Sequence, residues 1–232
     1  VACVGPTQTY TYTVNPIPTV NTISNQTACA GAAVTLPFTG YVPGTVYEWT
    51  NSNTAIGLAA SGTGALSYTA TNSTSNPIVA TIVVTPKYTN AGVTCTGNPI
   101  SFDITVNPTP TVVAVDNQVL CNGSATTAVN FTGATTGTVY NWTNSNTSIG
   151  LAASGTGDIA SFTAVNTGSA PDTAKIRVTP TSNGCVGNPM YFNIIVNPLP
   201  IIDVVAIVDS GCIPTRVLFR NNGSTTSTCS WS

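Results

Sequence analysis

The chain of 232 residues contains no histidine, one methionine and only 5% charged residues, five Lys+Arg against seven Asp+Glu. Each shortage excludes something. Without histidine there is no Ser-His-Asp arrangement and no ready proton shuttle near neutral pH. Five cations with a net charge of −2 make no basic footprint for nucleic acid and no polybasic membrane patch. No apolar run approaches the roughly 18 residues of a membrane span. The seven cysteines are far apart and form no CxxC, so a zinc site has neither imidazole nor thiolate spacing to draw on. The acids are scattered: Glu48 of one copy becomes Asn141 in the next, and Asp103 becomes Asn193, so no carboxylate pair for glycoside hydrolysis recurs. The inventory points away from an enzyme, and no cofactor is implied.

What the sequence has is repetition. VYEWTNSNTAIGLAASGTG at 46–64 returns as VYNWTNSNTSIGLAASGTG at 139–157, with only positions 48/141 and 55/148 differing. VNPIP, VNPTP and VNPLP begin at Val14, Val106 and Val196, 92 and then 90 residues apart. A period near 90 suits one small domain per copy rather than a solenoid unit. The register predicts four pieces: 1–18 as the last strand of a preceding copy, 19–108 and 109–198 as two full copies, and 199–232 as the start of a third. On this reading the sequence is a piece of a longer protein.

Period-two alternation, as in Phe102, Ile104 and Val106 or Phe192, Ile194 and Val196, marks half-buried strands. Strands are expected near 19–24, 34–39, 46–50, 56–59, 66–70, 79–86 and 100–106, and at the matching places of the second copy. Seven short strands with turn chemistry between them predict tandem all-β immunoglobulin-like antiparallel sandwiches in a linear array. Trp49 and Trp142 then fill the core with Phe38, Phe131, Phe102 and Phe192.

GCIPTRVLFRNN with Trp231 (Cys212, Pro214, Val217, Phe219, Asn221) resembles the start of a PKD domain. The C-x-G and Y-x-W elements of the full copies resemble PKD-like and Ig-like repeats of large Bacteroidota cell-surface proteins, including gliding-motility-associated adhesins exported by the type IX route. The resemblance implies a stalk or spacer at the cell surface. The Phe-Gly-Asp-Gly turn of PKD domains is replaced here by WTNSNT.

Widely spaced, recurring cysteines in small β-rich copies point to disulfides and an oxidising compartment. Two pairings stay open: within each copy (Cys29–Cys95, Cys121–Cys185), or between copies (Cys29–Cys185). Cys212–Cys229 is an additional candidate. Asp172-Thr173-Ala174 fits a short O-glycosylation acceptor pattern, making Thr173 a candidate. The expected partners are neighbouring repeats and other copies in a filament. Surface glycans are the alternative, with Tyr41, Tyr88 and Tyr191 as the aromatics to inspect; an accessory region of a secreted enzyme is the other.

Overall fold

The computed structural model describes residues 1–200 and two short strands beyond them, β15 (Val204–Ala206) and β16 (Phe219–Asn221), which pair antiparallel. The candidates Cys212 and Cys229, with Pro214, Val217 and Trp231, lie outside the described residues. The chain divides into two compact units, 1–109 and 110–232, and each carries one full copy of the repeat.

In the first unit the strands are β1 (Gln26–Cys29), β2 (Ala33–Leu36), β3 (Val46–Asn51), β4 (Ser61–Thr63), β5 (Leu66–Thr69), β6 (Ile78–Asn90), β7 (Val93–Thr96) and β8 (Ile100–Asn107). The main sheet has the order β1-β8-β6-β3-β4, with β7 folded back on β6, and β2 pairs β5 in a second layer. The second unit repeats the plan with β9 (Gln118–Cys121), β10 (Val139–Asn144), β11 (Ser154–Thr156), β12 (Asp172–Ser182), β13 (Cys185–Val186) and β14 (Met190–Asn197). Its main sheet runs β11-β10-β12-β14-β9. Only two isolated bridges, Ala125–Thr163 and Val129–Ile159, mark its second layer. Both units are all-β, immunoglobulin-like sandwiches.

Alternation explains what each strand buries. Along β6, Ala80, Ile82 and Val84 are fully buried while Val79, Thr81 and Val83 face out. Phe102, Ile104 and Val106 of β8 meet them from the neighbouring strand. Each fully buried Ile or Val here contributes about 1.5–3 kcal/mol. Trp49 and Trp142 sit inside these cores with Phe38 and Phe102, and with Phe131 and Phe192, respectively. Their indole nitrogens are buried without a hydrogen-bond partner, so the rings serve as volume. Gly62 and Gly155 make room: a Cβ there would fall 2.3 Å and 2.2 Å from the Cζ2 of Trp49 and Trp142.

Several expected elements differ. Residues 1–18, expected as a strand, carry none, and the second copy's counterparts of 34–39 and 66–70 hold only the isolated bridges. No strand spans 19–24; the ladder strand is β1, running parallel to β8, as β9 does to β14. The stretch at 56–59 is not a strand either. Asn53 caps a single 3-10 turn, Thr54–Ile56, through its side chain on Ala55 N, and Gly57 ends it at φ 91. The amide of Asn51 holds the following loop by donating to Leu58 O at 2.9 Å and Ala59 O at 3.2 Å, and Asn144 does the same for Leu151 and Ala152. The repeated TNSNT is therefore turn-building chemistry.

Candidate functional site: the proline entry and the cysteine poles

Each copy is entered through Asn-Pro-x-Pro, and the last proline is not a free linker. Pro18 is fully buried in its unit, and Pro110 is buried in its own. Glycines permit this approach. A Cβ on Gly97 would lie 1.8 Å from the carbonyl oxygen of Pro18, and one on Gly187 the same distance from that of Pro110. On the other side a Cβ on Gly40 would fall 1.9 Å from Thr19 O, and one on Gly133 2.0 Å from Thr111 O. The entering backbone is thus gripped between two glycines in each copy. Hydrogen bonds finish the seat: Asn21 N donates to Thr39 O and Val113 N to Thr132 O, both at 2.8 Å, while Gly97 N and Gly187 N donate to Pro86 O and Pro180 O at 2.9 Å. In the first unit Asn15 and Asn90 also clasp one another, Asn90 Nδ2 donating to Asn15 Oδ1 at 2.9 Å and Asn15 Nδ2 to Asn90 O at 3.2 Å. Proline fixes its own φ and biases the preceding residue to extended geometry, so the entry is stiff before it docks. Tyr47 and Tyr140 place their hydroxyls at this seat, 2.8 Å from the positions a Cβ of Gly40 and Gly133 would take; burial raises both phenol pKa values above the ordinary one. In Cys95-Thr96-Gly97 and Cys185-Val186-Gly187 the grip leaves the glycine no room for a side chain, whereas Gly31 and Gly123 of the Cys-x-Gly at the end of β1 and β9 stand in open space at φ 89 and 85.

The cysteines occupy the two ends of each main sheet. Cys29 pairs with Asn107, beside the Ile78 end of β6, whereas Cys95 pairs with Tyr88 at the other end. Cys121 pairs with Asn197 beside the Asp172 end of β12, whereas Cys185 pairs with Ser182. Ten residue steps of strand separate the ends, roughly 30 Å, and a disulfide needs Cα atoms within about 7 Å. Bridges inside a copy are ruled out. Cys29, Cys121 and Cys185 are nonetheless disulfide-bonded, and Cys3 and Cys95 are free thiols. Both free thiols stand at the repeat position that Cys185 occupies in the second copy.

Other candidates fall in separate places. Thr173 is an exposed residue of β12. Its neighbour Asp172 accepts hydrogen bonds from Ser148 Oγ and from Asn146 Nδ2. Tyr41 is widely exposed in the loop before β3, Tyr88 is half-buried on β6, and Tyr191, in the other unit, stands on the outer face of β14. Among the described residues no three Cys, Asp or Glu gather as a metal site would require, and no helix is long and apolar enough to cross a membrane.

Sequence reading missed one feature, the coupling of the differences between the copies. Glu48 forms an ion pair with Lys87 at 2.5 Å; where the second copy has Asn141, it also has Thr181, and the two hydrogen bond at 3.3 Å. Where Ala55 becomes Ser148, Ile78 becomes Asp172, which accepts the new hydroxyl. Each change is matched by one on β6 or β12. The signal lay in the aligned pairs, but only the register shows that they touch.

A model of the PKD-like domain family matches residues 117–200, so the second copy is similar to a PKD-like domain. No curated protein matches the chain. Among solved structures, the insect immune protein hemolin shares 18% identity over 78% of this chain and 47% of its own, with a TM-score of 0.37; the chain thus spans under half of hemolin. Mouse cadherin-23 EC22–24 shares 11% identity over 91% of this chain and 80% of its own, at a TM-score of 0.40. Fibronectin(III)-like modules of Clostridium thermocellum CbhA share 13% over 78% and 95%, at 0.32.

Proposed function

We propose that the chain is a non-enzymatic structural repeat module of an extracellular bacterial surface protein, its copies acting as a rod-like stalk or filament segment of an adhesin. The observation that carries this reading is the entry seat: a proline joint buried between glycines makes the end of the linker part of the following copy, which favours a stiff spacer over a flexible tether. The seats support copies bounded near 19–108 and 109–198. With bridges inside a copy ruled out by distance, we assign Cys29 to Cys185, a staple between successive copies that would further limit bending. The near absence of charge suits a surface that stays soluble as salt and pH change, and has little long-range field to steer partners. A disulfide-held module of this kind belongs outside the reducing cytoplasm. Thr173 is a candidate for O-glycosylation in that setting.

Small-angle scattering of the oxidised chain tests the reading. An elongated particle with a fixed spacing near 40 Å per copy, from strand length plus loops, is the expected result. A broad distribution of distances that reduction leaves unchanged refutes it.

A further inference from the structure

The outward faces of the two main sheets are built on one plan but carry opposite charge. On the first copy the outward positions include Glu48, Thr81, Val83, Lys87 and Asp103. Two carboxylates stand against one ammonium, and Lys87 is already committed to Glu48. On the second copy the same lattice positions hold Asn141, Lys175, Arg177, Thr181 and Asn193. Thr81 beside Asp103 has thus become Lys175 beside Asn193, and Val83 has become Arg177. Among the described residues neither Lys175 nor Arg177 has a carboxylate partner, the one ion pair being Glu48–Lys87. Two of the chain's five cations stand two residues apart on the outward face of one central strand.

The shapes are complementary as well. The first face holds a shallow groove of about 310 Å³ over Val83, walled by Glu48, Thr50, Ser61, Thr63 and Thr85. The second face has a projection instead. Tyr191, where the first copy has Ser101, is 49% exposed and stands beside Arg177 in the ladder. Lys175 Nζ lies over its ring, 4.5 Å from the centroid.

We propose that these two faces dock on each other between chains, the first-copy face of one molecule receiving the second-copy face of another. Tyr191 enters the groove over Val83, and Lys175 and Arg177 meet Asp103 and Glu48. The guanidinium of Arg177 offers a planar fork to a carboxylate. Because the two faces differ, the contact is heterologous and leaves each molecule with one face unused, so association propagates sideways rather than closing as a two-fold dimer. This contact is separate from the rod reading: a chain that stays monomeric would end the proposal and leave the rod untouched.

The test is sedimentation velocity and equilibrium of the full chain over a concentration series up to about 1 mM, at low and high salt. Wild-type protein is expected to associate, and to weaken at ionic strengths where the Debye length falls to about 3 Å. Lys175→Glu with Arg177→Glu makes both faces acidic, and Glu48→Lys with Asp103→Lys makes both basic. Each variant alone is expected to associate at least about tenfold more weakly, since like charges then face each other. Mixed in equal amounts, each variant's acidic face meets the other's basic face, so the two are expected to co-associate where neither associates alone. Tyr191→Ser, the residue the first copy carries there, is expected to weaken association without altering the fold. A monomeric wild type, reversals without effect, or a mixture that stays unassociated overturns the proposal.

Discussion

Replacing Gly187 with alanine probes the entry seat at its tightest point. The added Cβ would stand 1.8 Å from Pro110 O, 2.9 Å from Pro110 C and 2.9 Å from Pro180 Cγ. The first two are backbone atoms, so no side chain can swing away. Either the entering strand lifts or the Gly187 loop withdraws, and withdrawal breaks the 2.9 Å bond from Gly187 N to Pro180 O. Overpacking of a filled site costs about 1–3 kcal/mol, and a lost buried backbone hydrogen bond adds about 1 kcal/mol. Together the cost is about 2–4 kcal/mol, which lowers Tm by roughly 10–25 °C in a unit of this size. Two controls separate crowding from glycine's other effects. Gly5, with nothing within 4 Å of its would-be Cβ, should accept alanine with no change. Gly157, at φ +76 with equally open space, should lose only the conformational cost, about 1 kcal/mol. Calorimetry of the oxidised chain reads all three. If Gly187→Ala melts within about 3 °C of wild type while Gly157→Ala does not, the seat is not a constraint and the argument from it fails.

Gly155→Ala should destabilise by at least about 2 kcal/mol, because its Cβ would fall 2.2 Å from Trp142 Cζ2 in a filled core; urea unfolding checks it. Ala91→Asn should stabilise by about 0.5–1 kcal/mol, since Ala91 holds φ 48 in a hairpin turn where the second copy uses Asn183; an unchanged urea midpoint would count against it. A double-mutant cycle on Glu48 and Lys87 should give a coupling of about 0.2–1 kcal/mol that fades in salt, as expected for a partly exposed pair. Tyr47, Tyr68 and Tyr140 have phenol pKa values raised by burial. Their contribution to stability is therefore whole below the unfolded value near 10 and is lost as pH rises through the higher folded values; urea midpoints measured from pH 8 to 11 should start to fall near 10.

The sheet strands that alternate, such as Ile100 to Val106, were legible because one face is buried and the other wet. The parallel β1 was not. Its residues carry no mark of the strand they join, and the alternating stretch at 19–24 starts instead against the backbone of Gly40, where only scattered hydrogen bonds hold it. The turn at Thr54–Ile56 had its signal in Asn53 and Gly57, an N-cap and a left-handed terminator, but the apolar Ile56 and Leu58 read as a strand. The entry seat was half legible. The prolines announced a stiff joint, while the need for glycine at positions 97 and 187 follows from close approach of residues about 80 apart. The aligned pair Asp103 and Asn193 was legible, but the opposed charges of the outer faces were not until the register set Thr81 beside Asp103 and Lys175 beside Asn193.

Peptide mapping of the oxidised chain under non-reducing conditions tests the central claim most directly. The account predicts that peptides bearing Cys29 and Cys185 are recovered joined, with Cys95 open to alkylation. Recovery of Cys29 joined to Cys95, or of Cys121 joined to Cys185, would contradict both the staple and the strand register behind it.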